Sequence, residues 1–149
     1  MKKYTHSLAF IFNPEGTHVA LIEKQRPAWQ KGLWNGLGGK VEPGETIMEC
    51  VLREVDEESG IKTKDKDWKY VGDLTSQDWH VGIYAMQLRQ PYYDLHSDTG
   101  EKTAWIPKNN LPEKIMDNLH WLIPLCTSVL HTNPDLQSIT AKYDSTNRK

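Results

Sequence analysis

Residues 39–61 read GKVEPGETIMECVLREVDEESGI. Glu42-Pro43-Gly44-Glu45 is a turn signal, with proline at the second turn position. The spacing predicts a helix over 46–59. Thr46 can cap its start, with Glu49 three residues on as the capping-box partner. Ile47, Val51 and Val55 recur every four residues and form a buried stripe, with Cys50 beside them. Gly60 is the expected stop. On such a helix Glu54, Glu57 and Glu58 stand at i, i+3 and i+4, which is one face. Three carboxylates on one turn repel each other in isolation. They become favourable around a hard divalent cation, since Mg²⁺ prefers oxygen ligands and bridges to phosphates. Such a cation neutralises phosphoryl oxygens and makes a water more nucleophilic. The plainer reading of the same residues is a solvated acidic face.

The neighbours of this helix add to the chemistry. The guanidinium fork of Arg53 can hold a carboxylate, either Glu45 or one of the cluster, in one rotamer. Otherwise it forms an exposed pair with Glu49 or Glu57. Gly38 and Gly39 allow close approach of backbone to metal or phosphate. Lys40, next in sequence, is a candidate phosphate contact or a surface lysine.

Outward from this stretch the chain alternates strand signals and turns. Leu8, Phe10 and Phe12 alternate with Ala9 and Ile11, as in a strand buried on both faces. Residues 13–16 (NPEG) are a turn, and 19–22 form the next strand of a hairpin. Residues 25–32 read as a loop and 33–37 as a short strand. Further strands are expected at 70–74, 81–88 and 103–106, with a polar loop at 90–100. A second helix is expected within 116–130, with Pro124 at a kink or boundary. The tail from about 132 to 149 is polar, and its last ten or so residues are expected to fray, with 136–143 a candidate edge strand. Strands around two helices point to an α+β fold, an α/β/α sandwich. A chain of 149 residues is expected to form a single domain.

Composition sets limits. The formal charge of −2 gives no bulk attraction to polyanions, so no nucleic-acid polymer is expected as a partner. Cys50 and Cys126 offer no C-x-x-C spacing and are expected as free buried thiols in a reducing compartment. No apolar run approaches the ~20 residues of a membrane span. The start MKKYTHS is not followed by a signal core, so the expected location is cytoplasmic.

The stretch matches the pattern G-x5-E-x7-R-E-U-x-E-E-x-G-U, U being aliphatic, at Gly39, Glu45, Arg53, Glu54, Val55, Glu57, Glu58, Gly60 and Ile61. A chance match at a given start is about one in 10^8 at average residue usage. That pattern is the Nudix box, and the chain resembles the Nudix hydrolases, which cleave nucleoside diphosphates linked to another group. The resemblance implies the Nudix fold, with a mixed central sheet and the box as loop–helix–loop. It implies Mg²⁺, with Mn²⁺ as a substitute, held by Glu54, Glu57 and Glu58 and by the Gly38 carbonyl. It implies a general base in the box or on a downstream loop, where Glu101 precedes a strand containing Trp105. A lone loop glutamate is otherwise merely solvated.

Residues 34–41 (WNGLGGKV), Trp105, Leu111-Pro112 and 121–124 (WLIP) are similar to the MutT group of that family, including its mammalian member acting on oxidised purine nucleoside triphosphates. This implies cleavage of a (deoxy)nucleoside triphosphate to monophosphate and pyrophosphate. The Trp-Pro-Asp-Asp of the mammalian member is absent around residues 116–119, so the resemblance does not by itself imply a strong preference for 8-oxo-guanine. Asn35 and Asn118 match or fall near base-contacting asparagines of that group; an amide can pair with a purine edge. Their other roles would be a turn and a helix N-cap. Trp29, Trp79, Tyr84 and Trp121 could form an aromatic wall. The six histidines lack ligand spacing; only His80, beside Trp79, falls in a possible pocket loop. The second enzymatic reading is an ADP-ribose, NADH or dinucleoside polyphosphate pyrophosphatase. A reading from another class is an inactive nucleotide-sensing domain, which usually lacks box glutamates. Monomer and homodimer are both compatible with the sequence.

Overall fold

The computed structural model describes residues 3–91, 94–132 and 135–144. The expected fraying of residues 145–149 therefore lies outside the described residues. The chain runs β1 (His6–Phe12), β2 (His18–Glu23), β3 (Trp34–Asn35), α1 (Ile47–Ser59), β4 (Lys69–Thr75), β5 (His80–Gln87), β6 (Lys102–Pro107), α2 (Leu119–Thr127) and β7 (Ile139–Lys142). The strands form one mixed sheet in the order β3-β2-β1-β5-β4-β7, with β6 along β2. β1 lies parallel to β5 over its whole length, from His6↔Val81 to Phe12↔Gln87. This central strand is apolar on both faces because both are covered. Leu8, Phe10 and Phe12 pack with Leu119, Leu122 and Ile123 of α2. Ala9 and Ile11 pack with Val51 and Val55 of α1. The result is the expected α/β/α sandwich, built on the period-two alternation of β1.

Two departures bear on the site. β1 and β2 pair only at Phe12↔Val19 and then part. The segment after β3 fills the gap: Trp34 and Asn35 pair with β2, whereas Leu37 and Lys40 bridge to Ala9 and His6 of β1. The expected strand at 33–37 is thus split between two neighbours. In α1 the buried set is Cys50, Val51, Val55, Glu58 and Ser59, and Ile47 is only half-buried at the first turn. Pro124 lies inside α2, on its exposed side, and five residues of wider helical winding, Ser128–Thr132, follow. Among the described residues no helix is long and apolar enough to cross a membrane.

Candidate active site

α1 begins with the predicted capping box. Glu49 N–H donates to Thr46 Oγ1 at 3.1 Å and Thr46 N–H to Glu49 Oε1 at 2.8 Å. It ends at Gly60, whose φ of 79° is left-handed. This rigid frame presents the three glutamates to different surroundings. Glu58 is only 3% exposed and accepts the Gly38 N–H at 2.8 Å. Burial pushes its carboxyl up to about 8; Glu54 and Glu101 push the same way and the Gly38 N–H opposes them. Burial also raises Glu54, against the hydrogen bond from Arg53. Glu57 is half-exposed.

Arg53 ties the cluster together. Its Nε and Nη2 reach Glu45 at 2.7 and 2.9 Å, and its Nη1 reaches Glu54 at 2.8 Å and Glu57 at 3.1 Å. Nη2 also donates to the Lys40 carbonyl at 3.0 Å. Arg53 therefore orients Glu45 and two cluster carboxylates at once, while Glu49 serves the helix cap. The Arg53 guanidinium holds Glu45 down at about 2. The glycines make the contacts possible. A Cβ on Gly38, whose φ is +136°, would lie 2.2 Å from the Ser7 carbonyl oxygen, and one on Gly39 would lie 2.8 Å from the Glu54 carboxyl.

Glu101 is buried and fixed from two sides. Gln25 N–H donates to Oε2 at 2.6 Å, and Lys24 Nζ stands 3.6 Å from Oε1. Its field acts on Glu58, and the field of Lys24 acts on both Glu54 and Glu58. Glu101 and Lys24 are thus drawn to Glu54 and Glu58, although their distance from that helix in the sequence gives no hint of it. Among the described residues no three side chains are arranged as a closed metal cage; Glu54 and Glu57 lean on Arg53 instead. The donor chemistry nevertheless suits a hard divalent ion. Carboxylate oxygens are hard ligands, and Glu54 and Glu58 carry raised proton affinity that a cation would relieve.

A cavity of about 470 Å³ adjoins this cluster, sharing Lys24, Gly38, Gly39 and Lys40 with it. Its other walls carry Asn35, Asn118, Trp29, Trp79 and Tyr143. Asn35 plays its turn role while lining the cavity: Oδ1 accepts the Gly36 N–H at 2.8 Å and Nδ2 reaches Gln30 at 3.4 Å. Asn118 starts α2 but its side chain does not cap it. Its Nδ2 donates to Tyr143 Oη at 3.3 Å, and its Oδ1 is buried with no partner.

Trp121 does not join this wall. It is 40% exposed, on the side of α2 opposite the buried stripe of Leu119, Leu122, Ile123 and Cys126. Tyr84 packs on Tyr70 at 5.6 Å and faces the α1 layer. His80 bonds Asp73 at 3.0 Å and lies against Tyr4, outside the cavity. His6 lines the cavity instead, its ring held below the ordinary range by burial and then by Lys40. Sequence reasoning missed Lys24, His6 and Tyr143. Only Tyr143 left a trace, at the end of the alternating Ile139 and Ala141.

A family model described as the NUDIX domain matches residues 3–122. The chain belongs to the Nudix family. Among curated relatives, the NAD-capped RNA hydrolase NudC of Chromobacterium violaceum is 41% identical over 97 residues, which are 62% of this chain and 35% of that relative. NudC of Vibrio vulnificus is 30% identical over 104 residues, covering 64% of this chain and 36% of that protein. This Nudix chain thus spans well under half the length of the relatives it matches. Its fold is similar to the Nudix domain of Shewanella oneidensis NrtR, solved with ADP ribose, with a TM-score of 0.71, 15% identity and coverage of 87% and 90% of the two chains. It is similar also to a MutT protein from Bacillus halodurans, with a TM-score of 0.65, 23% identity and coverage of 96% and 92%. The Nudix box is the segment that carries α1 and its glutamates.

Proposed function

We propose that this Nudix chain hydrolyses a phosphoanhydride bond of a nucleoside diphosphate-linked substrate, first of all a (deoxy)nucleoside triphosphate, oxidised purines included, releasing monophosphate and pyrophosphate. The observation that carries the reading is the junction of the acidic cluster with the cavity through Lys24, Gly38 and Gly39. A base stacks between the walls that hold Trp29 and Trp79, and Asn118 reads its edge. Lys24 and Lys40 take phosphate oxygens, and Arg53 keeps Glu54 and Glu57 in place. Glu54, Glu57 and Glu58 hold the divalent cation, with the Gly38 carbonyl beside them. When bound, that cation supplies neutralisation of phosphoryl oxygens and a more acidic water. Glu101, fixed by Gln25 and Lys24, takes the proton of the attacking water.

A second reading is favoured by the relatives named for NAD-capped RNA: the substrate is then NAD-like, ADP-ribose or a dinucleoside polyphosphate, and its second half extends out of the cavity. One panel with Mg²⁺ separates these: nucleoside triphosphates and their 8-oxo forms, ADP-ribose, NADH, diadenosine polyphosphates and NAD-capped RNA. Triphosphates turned over to pyrophosphate support the first reading. Turnover confined to the dinucleotides or capped RNA supports the second. Tight nucleotide binding with no turnover of any member overturns both and leaves a sensing domain.

A further inference from the structure

The last turn of α1 is closed by the segment that leads into β6. A helix leaves its final carbonyls without partners of its own. Here the Gly60 N–H takes the Asp56 carbonyl at 2.9 Å, and residues 96–103 take the next three. Asp98 N–H donates to the Glu57 carbonyl at 2.7 Å, and His96 N–H to the Ser59 carbonyl at 3.1 Å. Between them the Thr103 hydroxyl donates to the Glu58 carbonyl at 2.6 Å. A carbonyl only accepts, so the direction of this bond is fixed. Of the three donors, only the Thr103 hydroxyl belongs to a side chain. Thr103 is held in β6 opposite Ile22 of β2. Glu101 lies two residues earlier; its N–H donates to Thr99 Oγ1 at 3.2 Å, and its charge acts on Glu58. The segment that carries Glu101 is therefore fastened to the backbone of Glu57 and Glu58 themselves.

We propose that Thr103 is a positioning residue of the hydrolytic site: its hydroxyl locks the start of β6 onto the box helix at Glu58, and so sets where the Glu101 carboxyl stands relative to the acidic cluster. This rests on the reading of Glu101 as the group that takes the proton of the attacking water. At a spacing of two residues, extended backbone turns both side chains to one side, so the Thr103 bond and the Glu101 carboxyl address the same end of α1. Gln25 and Lys24 hold that carboxyl from the β2 side, which fixes it to the sheet. Thr103 ties the strand directly to the helix. Without its hydroxyl the Glu58 carbonyl loses its donor, and strand and helix can part slightly. A misplacement of reacting groups by about 1 Å costs about 10^2-fold in rate.

Steady-state kinetics with Mg²⁺ on the fastest substrate of the panel above tests this, at a temperature where circular dichroism shows each variant folded. Thr103→Val keeps the shape and loses the donor. Its kcat should fall about tenfold or more while KM stays within about twofold, because the nucleotide cavity is untouched. Thr103→Ser keeps the hydroxyl and should recover kcat to within about threefold of wild type. If Thr103→Val does not fold, Thr103→Ala takes its place. Glu101→Gln alone should cut kcat about 10^2-fold or more. Because Thr103 acts through Glu101, adding Thr103→Val to Glu101→Gln should lower kcat by less than about twofold further, whereas a merely structural loss would multiply through. Unchanged kcat in Thr103→Val, a loss confined to KM, a serine variant no better than valine, or losses that multiply in the double variant overturn the proposal and leave Glu101 as the proton acceptor. Wild-type kcat in Glu101→Gln removes that acceptor, and this proposal with it.

Discussion

Glu58 sits where a carboxylate is least comfortable. It is shielded from water, faces Glu54 and Glu101, and has the Gly38 N–H as its compensating donor. Its folded value of about 8 lies above the ordinary 4.5. The folded state therefore holds a proton that the unfolded chain has released, and metal-free stability falls as pH rises between those values. Melting in the presence of a chelator checks this: wild-type Tm declines from pH 5 to pH 8, and Glu58→Gln flattens the decline. In the proposed function Glu58 is a metal ligand and the same substitution removes its charge, so turnover with Mg²⁺ should fall by about 10^2 or more. Wild-type activity in Glu58→Gln would remove this residue from the site. Arg53 makes the complementary case. Lysine keeps the charge but loses the fork that spans Glu45, Glu54 and Glu57, so Arg53→Lys should lose about tenfold or more in kcat/KM. A loss of less than twofold would reduce Arg53 to a surface partner.

At the scale of elements, α1 was readable in detail because its signals are local. The capping box, the buried Val51 and Val55 and the left-handed Gly60 act through hydrogen bonds and contacts within a few residues. Thr46→Ala removes one half of the box and should cost about 1 kcal/mol in urea unfolding. Activity should stay within about threefold, since the cap lies two turns from Glu54. Ile47 is the exception, for a non-local reason: helical periodicity marks a face, but how deeply the first turn is covered depends on Tyr4 and β5, which come from elsewhere. Trp121 shows the converse. An aromatic on a helix gives no sign of its side until the stripe of Leu119, Leu122, Ile123 and Cys126 has chosen one.

For the molecule as a whole, the sheet is what makes one site of distant segments. Phe10 and Ile11 are neighbours in β1, yet Phe10 supports α2 and Ile11 supports α1. Phe10→Ala should cost about 3–5 kcal/mol, measured by denaturant unfolding, because the cavity left at the centre of the α2 layer cannot collapse. A cost below about 1 kcal/mol would mean that this layer is not packed as described.

The box helix with its caps, the central buried strand, the layered α+β class and the three glutamates on one face are all legible in the amino-acid order. Each follows from periods of two or 3.6 residues and from hydrogen bonds to near neighbours. The assembled fold alone brings Glu101 and Lys24 onto Glu58 and Asn118 onto Tyr143, and turns Trp121 and Tyr84 away from the cavity. Those outcomes depend on strand order and register, through which β6, β7 and the segment after β2 arrive beside residues far from them in the chain. Side-chain alternation names two faces for every strand; which face meets which helix is settled only when the sheet is assembled.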